Sequence, residues 1–172
     1  MNPEQHTHRL APFILISEVD DGPAFAEHIF QRKYCAQAPN FPHHVVAFYK
    51  HAEDHLVPLS YVHFRPWKNH LMLVGGGCTD GRGFALMAEA QRAIVRDAGG
   101  LLAQTQLFGF KKFAERCDAF GGFCGDARAW QVDMSVGYAP TPHQHLIVKW
   151  HKPLSEARRA ELVRELHAIG PF

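Results

Sequence analysis

The chain has 172 residues, of which 47% are hydrophobic and 20% charged, the composition of an ordinary globular protein long enough for one domain with a sizeable core. Its 18 basic and 17 acidic residues give a net charge of +1, so electrostatics favour neither nucleic acid nor an anionic membrane as a partner. The N-terminal segment is polar and the four cysteines form no CxxC pair, which predicts free thiols in a cytoplasmic setting.

The first half of the chain predicts a strand, a helix and three consecutive strands after a polar tail at residues 1–11. The first strand is the apolar run at residues 13–16, and Pro23 suits the first turn of a helix over residues 24–37. Three further strands are predicted at residues 45–49, 56–65 and 71–74. Short polar turns join these strands, which is typical of an antiparallel meander.

A glycine-rich stretch, residues 75–83, follows the last of these strands. A helical pattern then runs from Phe84 to Ala98, and Gly99-Gly100 ends it because glycine accepts the left-handed conformation of a C-terminal cap. Glycines let a ligand approach the backbone, and the first N–H groups of a helix lack internal partners. The pattern therefore predicts an anion site, although neither the Walker nor the Rossmann glycine fingerprint fits its spacing.

The second half predicts two more helices and three more strands. They are a strand at residues 101–107, a helix at 108–120, strands at 130–136 and 145–150, and a C-terminal helix at 154–170. Gly121-Gly122 would end the first helix, and Ser155 would cap the second. Neither an internal repeat nor a linker interrupts the chain, so we expect a single domain, residues 1–172.

The segment Asp80-Gly81-Arg82-Gly83-Phe84-Ala85 resembles the coenzyme A loop of the GNAT superfamily of acyl-CoA N-acyltransferases. That loop reads Gln/Arg-x-x-Gly-x-Gly/Ala, and Gly83 and Ala85 match it, whereas Asp80 is acidic where the family is basic or carries an amide. An ordinary strand-to-helix turn is the alternative interpretation.

The order of elements over residues 13–150 also resembles the GNAT fold, and Gly122-Phe123 resembles the pair that often closes its later helix. The resemblance implies an α/β (α+β) fold with a mixed, mostly antiparallel central sheet of about seven strands and flanking helices.

The same resemblance implies a co-substrate, acetyl-CoA or another acyl-CoA, and a place for each of its parts. In this family the fourth and fifth strands separate, and the pantetheine arm lies in the gap, here along Leu73, Val74 and Gly75. The pyrophosphate would lie on the loop formed by Asp80, Gly81, Arg82, Gly83, Phe84 and Ala85.

Acyl transfer to an amine needs a base for the amine proton and a donor for the oxyanion. His70, at the start of the fourth strand, and His63, on the third, are the candidate bases, since histidine titrates near neutral pH. The family often has Asn and Tyr on the helix after the fifth strand, but residues 108–123 contain neither, which leaves Cys117 as the candidate proton donor. A structural role is the alternative for each of the three.

The leading hypothesis is an N-acetyltransferase of GNAT type that acts on a small-molecule or peptide amine, without a metal, a nucleic acid or a membrane as partner, and with a homodimer as one assembly to test. A second hypothesis is a GNAT-like domain that binds an acyl-CoA or a protein partner without turnover, because Asp80 and the missing Asn and Tyr depart from the family pattern. A third, suggested by the 13 histidines, is a metal-dependent protein, although no HExxH spacing occurs.

Overall fold

A seven-stranded sheet forms the centre of the protein, with the strand order β1-β2-β3-β4-β5-β7-β6. The structure, a computed structural model, describes residues 3–172, and six α-helices flank the sheet within that range. All neighbouring strands are antiparallel except β4 and β5, which are parallel. The α/β fold with a mixed, mostly antiparallel sheet is therefore confirmed.

The first half of the chain has the predicted meander with longer strands. Its elements are α1 (Pro3–Leu10), β1 (Ile14–Val19), α2 (Gly22–Tyr34), β2 (His43–Ala52), β3 (His55–Trp67) and β4 (Leu71–Thr79). Asp21 caps α2 by accepting the Ala24 N–H at 3.0 Å, and Pro23 lies in the first turn. The expected polar tail is helical from Pro3 onward and ends on the buried Leu10, while residues 1 and 2 lie outside the described range.

The crossover from β4 to β5 differs from the prediction. It contains a 3-10 turn (Gly83–Leu86), α3 (Glu89–Asp97), α4 (Leu101–Phe113) and a second 3-10 turn (Ala114–Arg116), so the strand expected at residues 101–107 is wrong. Within α4 the Thr105 hydroxyl donates to the Leu101 carbonyl at 2.7 Å, and the Gln104 amide donates to the Ala98 carbonyl at 2.7 Å. These bonds satisfy polar side chains that α4 buries against the sheet.

The remaining elements are β5 (Ala119–Phe123), α5 (Ala127–Ser135), β6 (Ala139–Pro140), β7 (Leu146–Trp150) and α6 (Glu156–Ile169). The helix predicted at residues 108–120 is correct only in its first part, residues 108–113, which belong to α4. The strand predicted at 130–136 is wrong, and the last strand is confirmed. Gly121 and Gly122 lie inside β5 rather than at a helix end. A Cβ on Gly121 would lie 2.5 Å from the Leu166 side chain of α6, so glycine here allows the C-terminal helix to pack on the strand.

Helices cover both faces of the sheet. On one face α4 packs on Val45, Phe64 and Met72, and α5 lies beside α4. On the other face α2 covers Val46 and Tyr61 at one end. At the other end α6 covers a buried cluster that contains Leu71, Leu73, Leu146, Val148, Leu162 and Leu166.

None of the helices in residues 3–172 is both long and apolar enough to cross a membrane. Over the same range, no three His, Cys, Asp or Glu side chains are grouped so that they would hold a metal ion.

Candidate active site

The parallel strands β4 and β5 separate partway along their length. Their ladder runs from the pair Leu71–Ala119 to the pair Val74–Gly122 and then ends, although β4 continues beside β3 to Thr79. The β3–β4 ladder shifts register at this point, so that Gly76 and Gly77 form a bulge. Gly76 has φ +65°, a conformation that favours glycine. The bulge opens a gap between β4 and β5. The resemblance to the GNAT fold implied such a gap between the fourth and fifth strands.

The gap leads into a cleft of about 620 Å³ that is lined from both faces of the sheet. One side is formed by residues of α4 and α5 and by the following segment, including Leu102, Gln106, Ala129, Asp133 and Tyr138. The other side is formed by Phe30, Tyr34, Phe41, His63 and Phe172, which we call the aromatic wall. Of the predicted channel residues, Val74 and Gly75 line this cleft, whereas Leu73 packs in the core beneath α6.

A second groove, of about 740 Å³, continues from the cleft to the N-terminus of α4. The two share Gly77, Leu102 and Asp126 among their lining residues. Gly99 and Gly100 precede α4 with φ +83° and +92°, so the backbone turns sharply into the helix without a side chain in the groove. The first N–H groups of a helix have no internal acceptor and carry the positive end of its dipole, which makes this end of the groove suited to an anion.

Basic side chains line the same groove. Lys33, Arg96 and Arg128 contribute to it, and their charges are partly offset, because Lys33 pairs with Asp126 at 2.5 Å and Arg96 pairs with Glu89 at 2.7 Å. The groove therefore combines a helix N-terminus with cationic side chains.

The loop predicted to hold pyrophosphate, Asp80 to Ala85, lies beside this groove and is engaged in contacts of its own. The buried Asp80 carboxylate pairs with Arg32 at 2.5 Å and accepts the Arg82 N–H at 3.0 Å. A Cβ on Gly83 would lie 2.2 Å from the Leu59 side chain, so packing accounts for that glycine. Phe84 lines the groove, but the turn that follows is a 3-10 helix of only four residues. Binding of phosphate at this loop stays a prediction.

Of the two predicted bases, only His63 lines the cleft. Its ring lies over the β4 backbone, since a Cβ on Gly75 would be 2.8 Å from Nε2 and one on Gly76 would be 2.6 Å from Nδ1. The residue is 6% exposed, and its Nδ1 has no hydrogen-bond partner within the described part of the chain. Burial, followed by the charges of His44 and Arg65, lowers the pKa of His63 to about 3, so the imidazole is neutral at pH 7.

The other two candidates lie away from the gap. His70 is exposed in the turn before β4, four positions before Val74, the first β4 residue that lines the cleft, and its carbonyl accepts the Asp118 N–H at 2.7 Å. Cys117 is fully buried just before β5 and is in contact with the core around Phe113, whose carbonyl accepts its thiol at 3.7 Å. Burial raises the pKa of Cys117 to about 12. The structure brings neither residue to the cleft.

The sequence analysis missed the polar residues that α5 and the segment after it bring to the cleft. Asp133 is 6% exposed and accepts the Gln106 amide at 2.7 Å, and burial raises the pKa of Asp133. Tyr138 is buried beside it, and burial raises its pKa well above the usual value. The signal for this helix was Asp126, which accepts the N–H groups of Arg128 and Ala129 at 2.8 and 3.0 Å, as an N-cap does.

Comparison with known proteins gives only distant likenesses. The sequence matches neither a protein-family model nor a curated protein. One similar solved structure is an acetyltransferase of the GNAT family from Staphylococcus aureus Mu50, with 8% identity and a TM-score of 0.49 over 80% of this chain and 100% of that one. Another is apo FdhC, a nucleotide-linked sugar GNAT, with 10% identity and a TM-score of 0.47 over 90% of this chain and 93% of that one.

Because these likenesses are distant, the fold is assigned from the features described above. The elements after α1 are a strand, a helix, three antiparallel strands, a helical crossover, a strand, a helix, two strands and a C-terminal helix. This succession has the predicted order, although the elements between residues 101 and 136 were predicted on other residues. With its parallel fourth and fifth strands parted beside a glycine bulge, the chain has a GNAT-like fold.

Proposed function

We propose that the protein transfers an acyl group from an acyl-CoA to an amine. The observation that carries the proposal is the gap between β4 and β5, which is joined by a continuous groove to the N-terminus of α4. An acyl-CoA has a thioester at one end of an extended arm and a pyrophosphate at the other. The gap suits the arm and the helix terminus suits the phosphates.

We place the phosphates at the first turn of α4, after Gly99 and Gly100, rather than at the Asp80 turn. α4 is a helix of 13 residues, and Arg96 and Arg128 line the groove that ends there. The Asp80 turn, in contrast, contributes a carboxylate, which repels a phosphate. Both charge and helix length therefore favour α4.

The arm would lie between the β4 bulge and α5. Gly75, Gly76 and Gly77 present backbone without side chains, so an extended chain can approach β4 closely. The Oε1 atom of Gln106 is buried in the cleft and has no hydrogen-bond partner among the described residues, so it can accept an N–H from an amide of the arm. Beyond Val74, the β4 backbone groups that face the gap are not paired with β5, and an N–H here is our candidate donor to the thioester oxygen.

Two side chains are placed to move protons. When an acyl-CoA is bound, it supplies the activated acyl carbon. The raised pKa keeps the Tyr138 phenol protonated at neutral pH, so it can donate to a departing sulfur. The lowered pKa of His63 keeps its imidazole neutral at pH 7, so a ring nitrogen has a lone pair that can accept a proton from the amine.

Calorimetric titration with acetyl-CoA and with CoA tests the binding step, and release of free thiol in the presence of amines tests the transfer. We expect acetyl-CoA to bind and thiol to appear only when an amine is present. Absence of heat and of any thermal stabilisation up to millimolar acetyl-CoA would refute the proposal. Binding without thiol release over a broad amine panel would instead support the binding-only function.

A further inference from the structure

Arg65 lies beside the aromatic wall, on the same side of the sheet as His63. The two residues alternate along β3, so their side chains leave the strand on one face, roughly 6.5 Å apart at the backbone. Across the ladder, His63 is opposite Gly75 and Arg65 is opposite Leu73 of β4. A positive charge is therefore held close to the gap in which the acyl carbon would lie.

Two aromatic rings hold the Arg65 side chain in place. Its guanidinium carbon lies 5.1 Å from the ring centroid of Phe41, a member of the wall, and 5.0 Å from that of Trp67. The same Phe41 ring meets His63 edge to face, with ring centroids 4.7 Å apart, so Phe41 connects the charge to the cleft. A guanidinium that already stacks on rings loses less freedom on binding a ligand than a mobile side chain does.

The Arg65 guanidinium is also available to an anion. Arg65 is exposed, and it forms no ion pair with any carboxylate in residues 3–172. The five N–H groups of an arginine form a planar fork that matches the two oxygens of a carboxylate. This end of the wall is therefore suited to a ligand carboxylate.

The end of the wall beside the gap is suited to an amino group. The main-chain oxygen of Phe172, the last residue of the sequence, lies 3.3 Å from where a Gly75 Cβ would be, and Phe172 lines the cleft. The His63 ring lies against the same glycine, and its Nδ1 has no hydrogen-bond partner within the described part of the chain. The oxygen and one imidazole nitrogen can each accept an N–H from an amine at the gap.

We propose that the acceptor is a free amino acid whose carboxylate binds Arg65 and whose amino group lies beside His63 and the main-chain oxygen of Phe172. This inference rests on the acyl transfer proposed above. Because Arg65 and His63 are only two positions apart on one strand face, the carboxylate and the amine have to be close together, as they are within one amino acid. The rings of the wall offer flat apolar surfaces, which favour an apolar or aromatic side chain on that amino acid.

An amino acid arrives as an ammonium ion, so its nitrogen gives one proton to solvent before it attacks the acyl carbon. The acyl C–N bond then forms and the C–S bond breaks. A second nitrogen proton passes to His63, and the sulfur leaves as the thiol with a proton from Tyr138. Both side chains return to their neutral forms by proton exchange with water.

Three amines with the same side chain test the inference. L-Phenylalanine carries the carboxylate, L-phenylalaninamide has a neutral amide in its place, and L-phenylalanylglycine has the carboxylate one residue further from the amine. Thiol release with acetyl-CoA is measured for each. We expect kcat/KM for L-phenylalanine to be at least tenfold higher than for the other two. Equal values, or a preference for the amide or the dipeptide, would overturn the inference.

Variants of Arg65 give a second readout. Arg65→Gln should raise KM for L-phenylalanine at least tenfold and abolish the preference over the amide, without changing the affinity for acetyl-CoA. Arg65→Lys keeps the charge without the planar fork and should recover part of the preference. Arg159→Gln is the matched control, because the Arg159 guanidinium also lies over a ring, 5.2 Å from the Trp150 centroid, and neither residue lines the cleft. A folded Arg65→Gln protein that keeps the preference for the acid would overturn the inference.

Calorimetric titration of L-phenylalanine, into the protein alone and with CoA present, separates the two proposals. If acetyl-CoA does not bind while L-phenylalanine binds to wild type and not to Arg65→Gln, the acyl transfer fails and the amino-acid site remains. If acetyl-CoA binds while L-phenylalanine neither binds nor reacts in preference to its amide, the inference about the acceptor fails alone.

Discussion

Filling the groove at Gly77 should weaken acyl-CoA binding while leaving the fold intact. Gly77 belongs to the β4 bulge and lines both the cleft and the groove. A Cβ at this position would lie 3.3 Å from the nearer methyl carbon of Leu102, and Gly77 is not in the left-handed region of backbone conformation. In the variant Gly77→Val, the Leu102 side chain therefore has to move by a few tenths of an ångström, and valine is common in strands.

The size of the effect follows from the space that the two added methyl groups occupy. They would project from β4 toward Leu102, into the cleft in which the arm of an acyl-CoA is placed, and the bound arm would have to share that space. Overpacking of this kind costs typically about 1–3 kcal/mol. At about 1.4 kcal/mol for each factor of ten, we expect the Kd for CoA to rise by roughly 5- to 150-fold.

Calorimetric titration of CoA into wild type and variant measures the change, and a thermal melt checks that the variant is folded. Gly81→Val is the matched control, because a Cβ at Gly81 would meet no atom within 4 Å and because Gly81 belongs to the loop first predicted to hold the pyrophosphate. We expect this control to bind CoA as wild type does. Unchanged affinity in Gly77→Val, or a loss confined to Gly81→Val, would refute the placement in the gap.

Three further variants test other parts of the account. Arg128→Gln should weaken CoA binding by roughly 2- to 5-fold at low salt and less at high salt, and a titration without this salt dependence would remove Arg128 from the phosphate site. Asp80→Asn should lower the free energy of unfolding by about 1–2 kcal/mol, because it weakens the contact with Arg32, without changing CoA affinity; tighter CoA binding would return the phosphates to the Asp80 turn. Asp133→Asn tests a carboxyl group whose pKa is raised by burial from its usual value of 3.8. The group therefore contributes its full stabilisation below pH 3.8, and this contribution is lost as the pH rises through the folded-state pKa. Thermal melts should therefore show the variant more stable than wild type at pH 8 with the difference closing toward pH 4, and a difference independent of pH would contradict this.

The sequence predicted the meander well because its signals are local. Alternation along β3 and the apolar start of β4 depend on neighbouring residues alone, and short turns fix the pairing of consecutive strands. The glycine stop at Gly99-Gly100 was also correct, since both residues have the positive φ that a helix end favours.

Residues 101–107 and 130–136 were predicted as strands but are helical, because non-local contacts decide their structure. The buried side chains of Gln104 and Gln106 in α4 donate hydrogen bonds to the Ala98 carbonyl and the Asp133 carboxylate. The bond from Gln106 to Asp133 joins residues far apart in the sequence, so a local pattern cannot predict it. The glycine pair of β5 resembled a helix end, but Gly121 is required by Leu166, 45 positions later in the chain.

This error also hid part of the candidate site. Because residues 130–136 were interpreted as a strand, neither Asp133 nor Tyr138 was considered in connection with the helix that follows the fifth strand. His63 was found, because it lies on a strand of the correctly predicted meander. The low pKa of His63 was not predicted, because it depends on the burial of the ring against Phe41 and Gly75.

The most direct test of the account is a titration of CoA into isotope-labelled protein, with the backbone amide signals followed by NMR. We predict the largest changes at the amides of Gly75, Gly76 and Gly77 in the gap and at Leu101 and Leu102 in the first turn of α4. Changes confined to the amides of residues 80–86, or no change at saturating CoA, would contradict the central claim that the gap and the α4 N-terminus form one acyl-CoA site.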